Sequence, residues 1–230
     1  MIIISHIKLK PSGADHMILG GTGGGNTITG MHFEKSTDLS KFLQTNFIVS
    51  QYISPNYKPS QLKQSYYVYD AITEELVGIL TRKSQFYKVL DDMYPMLNNI
   101  ECKWQPDEAF YNIKQKTWYI VEKKFQHTSG SADEKLLTFP LKREQYQQIF
   151  KTLHIKNQPH VEFIAMLNEK WWGNPDNYPR YENDFNIIKS KGIIIIFDVY
   201  TNELFGLHPQ SEQEILENAS LIKPNWHNIQ

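Results

Sequence analysis

The stretch "PDEAFYNIKQKTWYIVEKKFQ", Pro106 to Gln126, decides the fold. Two runs rich in aromatic and β-branched residues flank a polar tetrapeptide. The pattern predicts a β-hairpin in which "DEAFYNI" pairs with "WYIVEKKFQ" across the turn "KQKT". Residues two apart in a strand share a face. Glu122 and Lys124 therefore stand side by side, and Lys123 turns the other way with Val121 and Phe125. A tight hairpin returns Asp107 to the neighbourhood of Glu122, and alternation lets only one of Asp107 and Glu108 face that place. Two readings follow: an exposed ion pair on a sheet edge, or a reactive site. The second strand passes through Trp118, Tyr119, Ile120 and Val121 before its charged end, so it emerges from a core, which favours the reactive site.

Outward from the hairpin, "TGMHFEKSTDLSKFLQTN" (Thr29–Asn46) reads as one helix, with Leu39, Phe42 and Leu43 as its apolar stripe and Thr29 as its cap. "SYYVYDAITEELVGIL" (Ser65–Leu80) reads as an earlier hairpin turning at Thr73 to Glu75, and "KSQFYKVLDDM" (Lys83–Met93) as a helix. "LKREQYQQIFKTL" (Leu141–Leu153) is an amphipathic helix with Leu141, Tyr146, Ile149, Phe150 and Leu153 inward. "HVEFIAML" (His160–Leu167) is a strand, and "NEKWWGNPDNYPRYEND" (Asn168–Asp184) a long polar and aromatic loop. "FNIIKSK" (Phe185–Lys191) is helical, "GIIIIFDV" (Gly192–Val199) a buried strand, and Glu212 to Glu217 a short acidic helix. This order predicts an α/β fold: a central mixed β-sheet flanked by helices.

Composition narrows the function. A chain of 230 residues with 40% hydrophobic and 13% aromatic content buries a substantial core. The net charge of −1 neither requires nor forbids a nucleic-acid partner. A lone cysteine, Cys102, permits no intramolecular disulfide and argues against a zinc site, and the histidines lack metal-ligand spacing. "MIIISHIKLK" is too short an apolar stretch for a signal peptide, and "GIIIIF" is too short to span a bilayer. A cytoplasmic location is expected.

Two carboxylates and a lysine at one sheet edge suit phosphodiester hydrolysis. The anionic ester repels nucleophiles. Mg²⁺ neutralises it while held by one or two carboxylates and several waters. A lysine beside it positions the attacking water and stabilises the extra negative charge of the transition state. Pro106, Asp107, Glu122 and Lys124 as a set resemble the motif of the PD-(D/E)xK nuclease superfamily. The resemblance implies a restriction-endonuclease-like core over about residues 29–167: a helix, a three-stranded meander carrying the motif, a helix and a further strand. It implies Asp107 and Glu122 as Mg²⁺ ligands and Lys124 as the residue serving the water. Glu34 lies where many members add a glutamate from the first helix, although an acid early in a helix also suits the helix dipole. Within the superfamily the chain looks most like a bacterial type II restriction endonuclease. That implies a homodimer on double-stranded DNA, with a cognate DNA methyltransferase in the same cell. Residues 168–230 then form a recognition or dimerisation elaboration of one nuclease domain. The alternatives are a repair or nicking nuclease of the same superfamily, a DNA-binding module with a dead site, or a nucleotide-binding protein.

The last alternative rests on "LGGTGGGNTITG" (Leu19–Gly30). It has the outer spacing of a phosphate-binding loop but carries Asn26 where that loop needs lysine. Its other readings are a backbone approach to a DNA phosphate through Gly24, Gly25, Asn26, Thr27 and Thr29, or a flexible entry loop. Further DNA-contact candidates are His127, Thr128 and Ser129 beyond the motif strand, and Asn174, Asn177 and Arg180 in the aromatic loop. Trp171 and Trp172 either wedge into DNA or pin that loop to the core. Lys142-Arg143 reads as a pair snorkelling from a helix face.

Overall fold

The structure is a computed structural model describing residues 23–94, 104–128, 132–152 and 157–209, with the backbone alone for 23–28 and 132–133. Seven strands lie side by side in chain order: β1 (Phe47–Gln51), β2 (Tyr66–Asp70), β3 (Leu76–Thr81), β4 (Glu108–Asn112), β5 (Thr117–Lys124), β6 (His160–Leu167) and β7 (Ile193–Phe197). β1 to β5 run antiparallel, whereas β5, β6 and β7 are mutually parallel. Parallel neighbours need crossovers. The first carries α4 (Ala132–Leu136) and α5 (Phe139–Lys151), and the second a π-helical turn (Glu169–Gly173) and α6 (Tyr178–Ser190). α3 (Gln85–Met93) connects β3 to β4. The fold is α/β with helices on both faces of a mixed sheet, and the expected order of helix, meander, helix and strand is present.

Strand alternation sorts β5 between two cores. Trp118 and Ile120 pack with Phe86 of α3, Tyr146 and Phe150 of α5 and Phe185 of α6. Tyr119 and Val121 pack on the other side, with Phe33, Leu39 and Leu43, and with Tyr200 and Phe205 beyond β7. The charged end of β5 continues this alternation. Glu122 and Lys124 belong to the α3/α5/α6 face, and Lys123 to the opposite one.

Several elements differ from the sequence expectation. The single helix expected over Thr29–Asn46 is two: α1 (Gly23–Ser36) and α2 (Leu39–Leu43). Thr29 is thus inside α1, not its cap. Glycine costs a helix about 1 kcal/mol per residue relative to alanine but, unlike proline, blocks nothing, so α1 extends back through the glycines. The break comes at Asp38, whose extended backbone leaves α1 and whose side chain caps α2 by accepting the Ser40 and Lys41 N–H groups. β1 is an addition, because "FIVSQ" is short and half polar and becomes a strand only by pairing with β2.

Leu141 is 59% exposed, not inward. It lies about 200° around the helix from Phe139, which takes the core position with Tyr146, Ile149 and Phe150. Leu153 lies outside the described residues, as do Cys102 and the expected helix over 212–217. The loop expected over Asn168–Asp184 holds the π-helical turn and the start of α6, which Pro179 opens from its first turn. Trp172 is fully buried, so it pins this segment to the core. "IIIIF" is the sheet's edge strand. Only Ile193 is buried and the rest are half-buried. No helix of the described residues is long and apolar enough to cross a membrane.

Gly78 packs closely against β4. A Cβ there would strike the Phe110 ring and come within 2.7 Å of the Tyr111 carbonyl oxygen on β4. Gly78→Ala is expected to destabilise the fold by about 1–3 kcal/mol. The check is a lower urea midpoint with an unchanged m-value.

Candidate active site

The carboxyl ends of the parallel strands β5, β6 and β7 meet the start of β4 at one end of the sheet. In open α/β sheets that end is where ligands bind. Two consecutive acids sit there, and alternation sends them in opposite directions. Glu108, 2% exposed, turns into the α1/α2 side. Its Oε1 accepts the Leu39 N–H at 2.9 Å and pairs with Arg82 at 2.6 Å. Its Oε2 pairs with the Lys123 ammonium at 2.6 Å and accepts the Tyr200 hydroxyl at 2.7 Å. Lys123 also donates to the Thr37 carbonyl at 2.5 Å. Burial and the Glu108 charge push the Tyr200 phenol well above its usual range.

Asp107 turns the other way. Its Oδ2 accepts the Lys123 backbone N–H at 2.7 Å and its Oδ1 accepts from the Lys83 ammonium. Lys83 also lies 3.0 Å from Glu34 of α1. Glu122 is buried, and its Oε2 pairs with Lys142 of α5 at 2.7 Å and with Lys124 at 3.2 Å. Lys124 also donates to the Lys123 carbonyl at 3.1 Å, and its charge acts on Asp107. The result is an alternating row, Glu34–Lys83–Asp107–Lys124–Glu122–Lys142, running from the α1 face of the sheet round its end to the α5 face. Burial alone would raise the Asp107 pKa, but Lys124 and Lys83 outweigh it and hold the carboxyl below its usual range. Burial opposes the Lys83 charge too, and Asp107 with Glu34 overcomes it, so the ammonium is held above its usual pKa. Both groups are ionised at neutral pH. A cleft of about 180 Å³ opens at the α1 end of this row, lined by Glu34, Lys83 and Asp107 together with Arg82, Glu108 and Lys123; Glu122 and Lys124 do not line it.

The structure thus brings Asp107, Glu122 and Lys124 together, with Glu34 joined to them through Lys83. Two further lysines belong to the row, Lys83 and Lys142. Lys83 is brought in by the β3/β4 register, which sets Thr81 opposite Ala109 and, carried one and two residues further, sets Arg82 opposite Glu108 and Lys83 opposite Asp107. Lys142 does not snorkel to solvent; it lies on Glu122 and over the Trp104 ring, 5.2 Å from its centre. Asp107 and Glu122 offer hard oxygen donors of the kind Mg²⁺ takes in ones and twos with water. Among the described residues no three Asp, Glu, His or Cys side chains group closely enough to hold an ion as they stand. Ammonium groups occupy the spaces between the carboxylates.

The DNA-contact candidates fall in different places. Gly24, Gly25, Asn26 and Thr27 form the first turns of α1, and Thr29 follows them in the helix. His127 and Thr128 are exposed just past β5, at the site's end of the sheet, and Ser129 lies outside the described residues. Asn174, Asn177 and Arg180 lie between the end of β6 and the first turn of α6, at that same end. Two of them serve their own segment. Asn174 accepts the Asp176 N–H at 2.9 Å, and Asn177 donates to the Trp171 carbonyl at 3.2 Å. Arg180 lies over the Tyr181 ring. Comparison of the chain with protein-family models, with curated proteins and with solved structures gave no match.

The carboxylates around the site set an acid limit on stability. Burial alone would raise the Asp38 pKa, but hydrogen bonds from Arg82 and Ser40 outweigh it, lowering the value from 3.8 to about 2. Asp107 shifts in the same direction. A carboxylate depressed in the folded state stabilises it above the unfolded pKa, about 3.9 for aspartate, and ceases to do so as pH falls through the folded value. The unfolding free energy is expected to decline from about pH 4 to about pH 2. Asp38→Asn should flatten part of that decline in urea titrations across the window.

Proposed function

We propose that the chain is a Mg²⁺-dependent endonuclease of the PD-(D/E)xK type that hydrolyses phosphodiester bonds of double-stranded DNA, and within that group a type II restriction enzyme. The observation that carries this reading is the meeting of Asp107, Glu122 and Lys124 at the carboxyl end of the parallel strands. Asp107 and Glu122 are the metal's carboxylates. When bound, the ion neutralises the phosphate and activates water.

The chain's own residues do the rest. Lys83 and Lys124 keep Asp107 ionised, so it presents a carboxylate at any neutral pH. The Asp107 carboxylate is oriented by the backbone N–H of Lys123, so the strand pairing aims it. Lys124 is tethered to the Lys123 carbonyl and to Glu122, which leaves its third N–H to hold the attacking water in line. Its charge also stabilises the negative charge that builds on the phosphorus oxygens. Lys142 balances Glu122 from the far side.

His127 and Thr128, with the segment of Asn174, Asn177 and Arg180, lie at the same end of the sheet and are proposed to meet DNA, as is the α1 start at Gly24 to Thr29. A homodimer would match the two-fold symmetry of the duplex, and residues from 168 on would serve recognition or dimerisation. A cognate methyltransferase would protect the host's own DNA.

Asp107→Ala and Lys124→Ala are each expected to lower Mg²⁺-dependent cleavage by about 100-fold or more while leaving DNA binding in gel shifts. Digestion of a fully sequenced phage DNA should give discrete fragments whose mapped ends share one sequence. Undiminished cutting by either variant overturns the assignment of the site. Scattered ends favour a nuclease without sequence choice.

A further inference from the structure

Lys83 differs from the other two lysines of the row. Lys124 and Lys142 are held in, at 21% and 15% exposure, whereas the Lys83 side chain is 41% exposed. It nonetheless clamps two carboxylates from different elements, Asp107 before β4 and Glu34 on α1. Its backbone is in the left-handed region at φ 47°, which residues other than glycine rarely adopt. That geometry is pinned by its N–H, which donates to the Pro106 carbonyl at 2.8 Å. A flexible ammonium therefore sits between two acids beside a cleft that offers its tip a way out.

A divalent ion at Asp107 and the Lys83 ammonium would be like charges a few ångströms apart in a half-buried site, so each disfavours the other strongly. We infer that Lys83 is a built-in counter-ion: in the metal-free protein it takes the divalent cation's place against Asp107, with Glu34 steadying it from α1, and it leaves toward solvent when the ion enters. This rests on the metal-site reading above and adds to it a residue that sets metal affinity. A lysine extended toward a DNA phosphate, away from Asp107, would have little effect on metal binding without DNA. A counter-ion would oppose it.

The test is Mn²⁺ titration of the DNA-free protein, followed by the loss of the free-ion electron paramagnetic resonance signal. Lys83→Met keeps most of the stem and removes the charge, and Lys83→Gln is a second neutral form. Circular dichroism confirms that each is folded. Either neutral variant is expected to bind Mn²⁺ about tenfold tighter than the wild type, and adding Asp107→Asn should reverse the gain. Unchanged or weaker binding by a folded neutral variant overturns the inference. Failure of both variants to fold also overturns it, since Lys83 is then a structural cation. A wild type that cuts DNA in a Lys124-dependent way while the folded variants bind Mn²⁺ no better leaves the nuclease reading standing and removes this one. Tighter Mn²⁺ binding without any cleavage does the reverse, and no Mn²⁺ binding by any form removes both.

Discussion

The rest of the structure depends on the buried carboxylate of Glu108. It holds the first N–H of α2, the guanidinium after β3, the ammonium of β5 and a phenol beyond β7. Those four contacts join segments that are far apart in the chain at one point under the sheet. A charge moved out of water costs several kcal/mol, and this one is tolerable because both oxygens are saturated by charged or polar donors. Removing one partner would strand a charge, which is far worse than never having buried it. The hub therefore fixes the register and the direction of β4. Once Glu108 points to the α1/α2 side, its neighbour Asp107 has to point away from it. The site's geometry follows from where the fold puts a structural acid.

The same alternation explains how much could be read from the sequence. The hairpin over Asp107 to Lys124 was legible because turn chemistry and a period of two both act within a few residues. So was the convergence of Asp107, Glu122 and Lys124, which follows from one turn and one parity rule. Lys83 needed the register between β3 and β4, strands separated by a helix and a long stretch of chain. No local pattern announces that Arg82 and Lys83 will lie opposite Glu108 and Asp107. Lys142 needed the crossover geometry that lays α5 over the end of β5.

The errors in the helices have other causes. The expected helix begins at Thr29, after the run "GGGNTI", yet glycine only weakens a helix and nothing in that run breaks one. Leu141 is apolar and falls near the stripe, but Phe139, two residues earlier, occupies the inner face and leaves Leu141 exposed. The start of α6 was hidden by prolines and asparagines, the residues that also begin helices.

The alternating row has a consequence for how a polyanion could be handled. Three acids and three lysines balance, so the metal-free site presents almost no net field and would neither draw DNA strongly nor repel it. Any cation that replaces one of the ammonium groups changes that balance by setting a lysine loose. On the nuclease reading, the liberated side chain remains tethered beside the phosphate the ion has just attracted, and a cation that closed the site becomes one that faces the substrate. Lys124 and Lys142 are too well held to move in this way, and the lysine they leave for it is Lys83. On that reading the row would divide its labour by burial: the inner lysines hold Glu122 in place, and the outer one would give way.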